Sequence, residues 1–292
     1  ARATKQGGMQ TDAVPQAMMM IRQINLNITY KRRTDLPGYK PMSGDLFGQT
    51  TVEEKLLPGL PFAFGADGGR TFVEEALANN HLVINQENIA PAIFNRTKHI
   101  KMDASLEPFP GIRVNLHALY EENRRSEYRF MYGEIPEIQG GSFAISIISL
   151  FSAFERNKAG RQYHSTSFGR FMEYRAVIAG RVRDQYAGSL YPQEGFLNGS
   201  TLAGEAFSGN SGDVKPNSAD VLIPAFLAAY TGKSAEKIAL TPFPALSTML
   251  PNWDLSVSLT TLMPALQQPF SELMLTHRYL AQYRIGSYNT HL

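Results

Sequence analysis

Ser211 is the residue of this chain whose surroundings come nearest to a catalytic pattern. It lies in Gly-Asn-Ser-Gly-Asp at positions 209–213, a setting in which a serine can act as a nucleophile. Such catalysis needs a general base within hydrogen-bond reach of the serine and a third group that orients the base. The only nearby upstream histidine is His164, and no recognisable motif surrounds it. We therefore interpret 209–213 as a flexible Gly/Ser loop.

Metal, acid-base and cofactor chemistry also find little support. The chain has six histidines and none is at a metal-ligand spacing: His81, His99, His117, His164, His277 and His291. Asp103 and Glu107 share a strand face, as a carboxylate pair would, but Lys101 joins them and no cleft is implied. Cysteine is absent and no glycine-rich nucleotide motif occurs. The sequence predicts a non-enzyme without catalytic residues, metal or cofactor.

The charged candidates belong to a predicted β-hairpin. Apolar and polar residues alternate over 100–107 and again over 112–121, and strict period two predicts strands with one apolar and one polar face. Pro108-Phe109-Pro110-Gly111 predicts the turn between them, because proline fixes φ and glycine tolerates positive φ. The polar face carries full charges, which are Lys101, Asp103 and Glu107 in the first arm and Arg113 and His117 in the second.

The remaining elements are predicted in chain order. Residues 1–17 predict a mobile lead-in, alternation over 24–31 predicts a strand, and the Gly- and Pro-rich residues 35–80 predict long loops. A short run of apolar residues at 82–84 is a further strand candidate. Further strands are predicted at 141–152, 253–262 and 272–288, the first with two nearly apolar faces and the last with Arg278 and Arg284 on its polar face. Helices are predicted at 168–186 and from a Ser218 cap to about 230, with a kink or break at Pro224.

Composition narrows the class of protein. The chain has 292 residues, 43% of them hydrophobic and 18% charged, with a net charge of +2. That balance and the lack of a basic run argue against a nucleic-acid partner. The sequence contains no run of eighteen apolar residues, so it predicts no membrane-spanning helix. We predict an all-β fold of antiparallel strands with two short helices, in which 18–292 is one domain and 153–251 is mostly loop and helix. Both chain ends look cut, so we expect a segment of a longer polypeptide.

The predicted strands are long enough to cross a membrane. A ten-residue strand rises about 33 Å and, tilted near 45°, spans roughly 24 Å, close to the apolar height of an outer-membrane barrel. Aromatic residues fall near strand ends, as interfacial girdles require, and the candidate interfacial anchors are Phe109, Tyr120, Trp253 and Tyr288. The candidate lumen-facing residues are Lys101, Asp103, Glu107, Arg113, His117, Arg278 and Arg284. A soluble β-sandwich also has alternating strands, and Trp253 would equally suit a packed loop-to-strand junction, so these alternatives stay open.

Several stretches carry a resemblance to a known family. They are ASLEPFPGIRVNL in the hairpin, ADVLIPAFLAAYTGK in the second helix, LTPFPALSTMLPNWDLSVSL after it and LTHRYLAQYRIGSYNTHL at the end. MMMIRQINLNITY, LPGYKPMSGDLFGQ and FGRFMEYRAVIAGRV occur in the same order as in that family. Over 18–292 the chain resembles the C-terminal part of the SprA/Sov proteins, the giant outer-membrane translocons of the type IX secretion system. It departs from them in a short loop after Tyr132 and in Pro244-Ala245-Leu246-Ser247, where they have PKIP.

The resemblance implies part of a very large transmembrane β-barrel through which folded cargo proteins cross the cell outer membrane. The implied partners are a PorV-like outer-membrane shuttle barrel at a lateral opening, a periplasmic plug protein, the remainder of the same barrel, the secreted cargo and the lipid bilayer. The alternatives are a soluble β-sandwich binding or adhesion module and a TonB-dependent-type receptor, which would require an N-terminal plug domain. One count stays open. Three predicted strands lie between the turns at 108–111 and 263–269, whereas two turns on one side of a membrane need an even number.

Overall fold

The computed structural model describes residues 20–42, 44, 47–64, 69–85, 90–132, 137–148, 165–191, 193, 197–201, 203–206, 214, 216–241 and 243–289. The predicted lead-in at 1–17 and the part of the predicted strand 141–152 from residue 149 onward lie outside the described residues.

Antiparallel strands make up most of the regular structure. The strands are β1 Ile21–Asp35, β2 Thr50–Val52, β3 Lys55–Leu57, β4 Ala92–Phe109, β5 Ile112–Tyr128, β6 Ile138–Ser146, β7 Asn252–Ser258, β8 Met274–Tyr279 and β9 Gln282–Asn289. The helices are α1 Leu60–Ala63, α2 Gly69–Ala78, α3 Thr166–Tyr186, α4 Ala219–Thr231 and α5 Leu259–Leu262. All the strand pairs are antiparallel in the described part of the chain. The predicted all-β, antiparallel class is therefore confirmed.

The predicted hairpin is confirmed and lies at the centre of the sheet. β4 and β5 pair from Ala92↔Tyr128 to Phe109↔Ile112, because both arms alternate apolar and polar residues. Gly111 closes the turn at φ 88°, a left-handed conformation that glycine adopts without steric cost. β1 pairs with β4 on the other side, so the predicted first strand is also confirmed and is longer than the alternation indicated.

Two short strands lie end to end in the next row of the sheet. β5 pairs with β6 over 120–127 and with β7 over 112–117. Both pairings are antiparallel, so β6 and β7 run in the same direction. Across the join, the backbone NH of Leu250 donates to the carbonyl of Ser146 at 3.1 Å. The chain between β6 and β7, which includes α3 and α4, is therefore inserted into a single row. We call it the helical insertion.

This arrangement resolves the strand count. The rows formed by β5 and by β6 with β7 are the two rows between the turns at 108–111 and 263–269, so both turns lie at one end of the sheet. The backbone NH of Ser258 donates to the carbonyl of Gly111 at 2.7 Å, which holds the two regions together. We call this the turn end, and we call the end where β4 begins and β5 ends the far end.

The prediction of one continuous strand over 272–288 is wrong. It is two strands, β8 and β9, interrupted at Leu280 and Ala281. β8 pairs with β7 and β9 pairs with β6, so the interruption falls where the neighbouring row changes from one strand to the other. Asn252 marks this junction, because its Oδ1 accepts from the backbone NH of Ala281 at 2.8 Å.

Three other predictions are corrected. The predicted loops at 35–80 contain the β2–β3 hairpin and helix α2, whose Val73 packs in a buried cluster at the far end of the sheet. The strand candidate at 82–84 amounts to one bridge, between Leu82 and Tyr39. The predicted strand at 253–262 ends at residue 258, where a helical turn, α5, takes over.

The two predicted helices are confirmed and pack on each other. Ile178 of α3 and Val221 of α4 are fully buried in their shared cluster. The prediction at Pro224 was a kink or a break, and the break does not occur, because α4 continues through Pro224 as one helix. The Ser218 side chain makes no capping hydrogen bond. Within the described ranges, no helix is both long enough and apolar enough to cross a bilayer.

Gly232 ends α4 and supports a stability prediction. It lies at φ 71° in the left-handed region, and its backbone NH donates to the carbonyl of Ala228. Gly232→Ala should destabilise the helical insertion by about 1 kcal/mol, because a Cβ disfavours this conformation. Amide hydrogen exchange of α4 would measure the loss. Gly232→Asn is the matched control, since asparagine tolerates the left-handed region, and an equal loss in both variants would contradict the explanation.

Candidate functional site

The sheet has two chemically different faces. Its polar face carries alternate side chains from neighbouring rows, which are Asn25, Asn27, Lys101, Asp103, Asn115, His117, Asp254, Ser256 and Arg278. The opposite face is apolar over its half next to the turn end. We call this half the apolar band: Ile24, Leu26, Ile28, Met102, Ala104, Leu106, Val114, Leu116, Trp253, Leu255, Val257, Leu275 and Tyr279. The registers align these positions because residues directly opposite each other point to the same face.

The polar face carries an ion-pair network that spans four strands. His117 Nδ1 lies 2.7 Å from Asp103 Oδ1, and His117 Nε2 lies 3.3 Å from Asp254 Oδ2. Asp103 Oδ2 also lies 3.3 Å from Lys101 Nζ. Arg278 donates from Nη2 to Asp254 Oδ2 at 3.3 Å. His117 therefore lies between two carboxylates, each of which has a cation on its other side.

This network joins four of the seven candidate lumen-facing residues, and the other three lie apart from it. Glu107 pairs with Arg22 at 3.0 Å near the turn end. Arg113 is exposed on the polar face opposite Ser256, and Arg284 is exposed on β9. Asp254 was not predicted as a site residue. Its alternation with the apolar positions of β7 was the available signal, but the strands that join it to His117 are distant in sequence.

The network is a set of ion pairs on the surface of the sheet. Its side chains are partly exposed, and solvated pairs of this kind interact weakly. Asp103 is engaged by His117 and Lys101 rather than by Glu107. The described residues hold no group of three or more His, Asp or Glu side chains that could bind a metal ion. Ser211, His164 and His291, considered above as chemical candidates, lie outside the described residues.

The apolar band is open to its surroundings. On β1, Ile24, Leu26 and Ile28 are 57, 59 and 61% exposed. None of the band residues belongs to the buried clusters that the described residues form. Contiguous exposed apolar surface of this extent marks a site of contact with a protein, a ligand or a membrane. The band is therefore the half of the face that needs a partner.

Two of the four candidate interfacial anchors lie at the margins of the apolar band. Phe109 is 60% exposed at the turn end. Trp253 stacks on Tyr279 with ring centroids 4.4 Å apart and an interplanar angle of 18°. The indole Nε1 donates to His277 Nδ1 at 3.3 Å. Trp253 is thus both a strand-start residue that packs on its neighbour and an aromatic ring at the edge of the open face.

The other half of the apolar face is covered, and the two remaining anchors lie there. Phe143 of β6 packs with Tyr120 and Tyr288 in a buried cluster, to which the helical insertion contributes Phe243 and, at its edge, Ile223 of α4. Tyr120 and Tyr288 are only 4 and 6% exposed. The structure therefore corrects their placement: both rings are core residues under the helical insertion rather than exposed anchors.

No family model matches the chain, and no curated protein matches its sequence. The geometry by itself describes an antiparallel sheet with one ion-paired polar face and one apolar face that is open toward the turn end. Such a sheet can separate an aqueous space from an apolar one.

Proposed function

We propose that the chain forms part of the wall of the type IX outer-membrane translocon, a protein-conducting channel of the SprA/Sov type. The observation that carries the proposal is the open apolar band on strands whose other face is charged. Hydrocarbon is the partner that such a band fits, because lipid accepts apolar side chains without requiring matching polar groups. The sequence motifs that resemble the SprA/Sov proteins also support the proposal. The proposed location is the cell outer membrane.

The height of the apolar band supports a bilayer as its partner. On β1 the exposed apolar side chains of this face run from Ile21 to Tyr30. At about 3.3 Å per residue and a tilt near 45°, this stretch spans roughly 20 Å, against about 25 Å for the apolar belt of outer-membrane barrels. β4 and β5 have 18 and 17 residues, so both strands would project beyond the bilayer on the side of the far end.

The polar face would line the water-filled passage. Two cations, Lys101 and Arg278, stand against two carboxylates, Asp103 and Asp254, and the His117 imidazole lies between the carboxylates. A wall of balanced charge stays hydrated and has no strong net field, so it does not hold cargo of either sign. The passage is passive in this mechanism, and the energy for export comes from partners elsewhere.

The sheet edges would be completed by the remainder of the same barrel. Among the described strands, β1 pairs only with β4, and the β8–β9 row pairs only with the β7–β6 row. Unpaired backbone groups in lipid cost several kcal/mol each, so both edges need neighbouring strands. The PorV-like shuttle barrel, the periplasmic plug protein and the secreted cargo are further proposed partners, which rest on the resemblance.

The sandwich alternative requires a second sheet over the apolar band. The second sheet in the described part of the chain is the β2–β3 hairpin of three-residue strands, which is too short to cover it. We therefore favour the membrane wall over the soluble adhesion module.

Single-cysteine labelling tests the proposal. The chain has no cysteine, so Ile28→Cys and Asn27→Cys each introduce a unique thiol. Both positions are exposed in the chain by itself but lie on opposite faces of β1. In native membranes, a charged maleimide should label Asn27→Cys and leave Ile28→Cys unmodified, whereas it should label both after the membrane is dissolved and the chain is unfolded, because the thiolate forms only in water. Equal labelling of both by the charged reagent in native membranes would overturn the membrane assignment.

A further inference from the structure

The chain between β7 and β8 forms a folded connection at the turn end of the sheet. It contains α5 and a 3₁₀ turn at Pro264–Gln267, and every residue of it is described. The Leu259 backbone NH donates to the Leu273 carbonyl at 2.8 Å, so the connection is closed where the pairing of β7 with β8 ends. We call residues 259–273 the turn-end segment.

The turn-end segment exposes apolar side chains. Leu262, Met263 and Phe270 are 41, 55 and 45% exposed, and none of them belongs to the buried clusters that the described residues form. The whole segment, LTTLMPALQQPFSEL, contains a single charged residue, Glu272. Connections that face water are normally polar, so an apolar and nearly uncharged connection marks a contact surface.

The segment is held in place by its own hydrogen bonds and by the hairpin turn. Gln267 Nε2 donates to the Thr260 carbonyl at 3.0 Å. Thr261 packs against Gly111 so closely that a Cβ added to Gly111 would lie 3.0 Å from the Thr261 Cβ. The exposed apolar side chains are therefore presented from a fixed position, which lowers the entropy lost on contact with a partner.

The backbone of the segment also has internal partners. The Met263 NH donates to the Leu259 carbonyl at 2.8 Å, and the Phe270 NH donates to the Leu266 carbonyl at 3.1 Å. Backbone groups that are already paired lose little when water is replaced by a less polar medium. This pairing suits a segment that leaves bulk water.

The turn-end segment lies at the border of the apolar band. Val257 and Leu275 pair across β7 and β8 and belong to the band, and the segment begins and ends two residues beyond them. Two residues are about 7 Å along a strand and, at a tilt near 45°, about 5 Å of height. The headgroup layer on each side of a bilayer is about 5–8 Å thick. If the band faces hydrocarbon, the segment is at the height of the headgroups.

We propose that the turn-end segment lies in the headgroup layer of the bilayer, with Leu262, Met263 and Phe270 inserted toward the hydrocarbon. This inference rests on the proposed function. Continuity with the apolar band favours lipid over a protein partner, because the segment joins two strands of the band at its border. Gln268 and Ser271 are exposed and uncharged, which suits a headgroup layer better than the hydrocarbon interior. The segment would fix the depth of the sheet in the membrane.

Fluorescence quenching by brominated lipids tests the placement on the full chain in phosphatidylcholine vesicles. Trp253 is the only tryptophan, so Trp253→Phe gives a background in which Phe270→Trp carries a unique indole. The probes are phosphatidylcholines brominated either near the headgroup or near the middle of the bilayer. The shallow bromines should quench Phe270→Trp at least about twofold more than the deep bromines, because the indole would lie in the interfacial layer.

Two control variants in the same background make the failures distinguishable. Leu26→Trp lies within the apolar band and should be quenched more by the deep bromines, whereas Thr276→Trp lies on the polar face of β8 and should be quenched by neither. Quenching of Leu26→Trp without quenching of Phe270→Trp would overturn the placement of the segment and leave the membrane wall standing. Quenching of neither would overturn both proposals. Stronger quenching of Phe270→Trp by the deep bromines would overturn the headgroup placement.

Thiol labelling in native membranes provides a second measurement that does not depend on reconstitution. The chain has no cysteine, so Met263→Cys and Thr276→Cys each introduce a unique thiol at a position that is exposed in the chain by itself. A charged maleimide should react at least about tenfold more slowly with Met263→Cys, because the thiolate forms only in water. Equal rates at the two positions would overturn the insertion of this side chain.

Discussion

Leu26→Arg is expected to destabilise the membrane-inserted form of the chain by about 2–4 kcal/mol. Leu26 lies on β1 between Ile24 and Ile28 and is 59% exposed. In the proposed wall its surroundings are hydrocarbon, where a guanidinium loses its hydration. The free energy of unfolding from phospholipid vesicles in urea would measure the change, together with the fraction of chain recovered in outer membranes.

Asn27→Arg is the control for this experiment, because it adds the same side chain one residue away on the polar face of the same strand. A lumen-facing arginine remains hydrated, so its effect on insertion should be small. The comparison also separates the membrane wall from a water-soluble sheet. In a soluble protein an arginine at an exposed position changes stability by about 0.5 kcal/mol or less, so equal behaviour of the two variants would contradict the proposal.

The central hairpin could be predicted because its signal is local. Each arm alternates apolar and polar residues, and the turn between them contains Pro110 and Gly111. The helices were predictable for the same reason, since the three- and four-residue periodicity of α3 lies within one stretch. In both cases the information that specifies the element is contained in the element.

The fourth and fifth rows could not be predicted, because they depend on pairing between distant parts of the chain. Nothing near Ser146 indicates that the row resumes at Asn252 after the helical insertion. The break at Leu280 and Ala281 follows from that same junction, because a strand that changes partners loses regular pairing where the partners meet. An alternating pattern indicates which face of the sheet each side chain lies on, but it does not indicate which strand pairs with it.

The candidate site shows the same division. The polar positions of Lys101, Asp103 and His117 followed from the alternation, whereas the bridge from His117 to Asp254 required the register between β5 and β7. The burial of individual side chains was even harder to predict from the sequence. Tyr120 has the position of a strand-end aromatic in the sequence, but the helical insertion folds back over it. Whether an apolar face meets lipid or protein depends on a segment that the strand itself does not contain.

Phe143 is the residue through which this covering of the sheet can be tested most directly. It is 2% exposed, and its ring packs against Tyr120, Phe243 and Tyr283 with centroid separations of 5.3, 5.7 and 6.3 Å. It thus joins three rows of the sheet to the helical insertion. Loss of the ring would leave a cavity at the surface on which α4 rests.

Phe143→Ala should therefore cost about 3–5 kcal/mol and release the helical insertion from the sheet. The expected readout is faster amide exchange in α4, whereas the amides of the β4–β5 hairpin near the turn end, which does not contact this cluster, should remain protected. Phe168→Ala is the matched control, because Phe168 is an exposed phenylalanine on α3 of the same insertion and should change stability by less than about 1 kcal/mol. Unchanged exchange of α4 in Phe143→Ala would show that the insertion is held by other contacts. Equal exchange throughout the sheet and the insertion would instead show that they unfold as one unit.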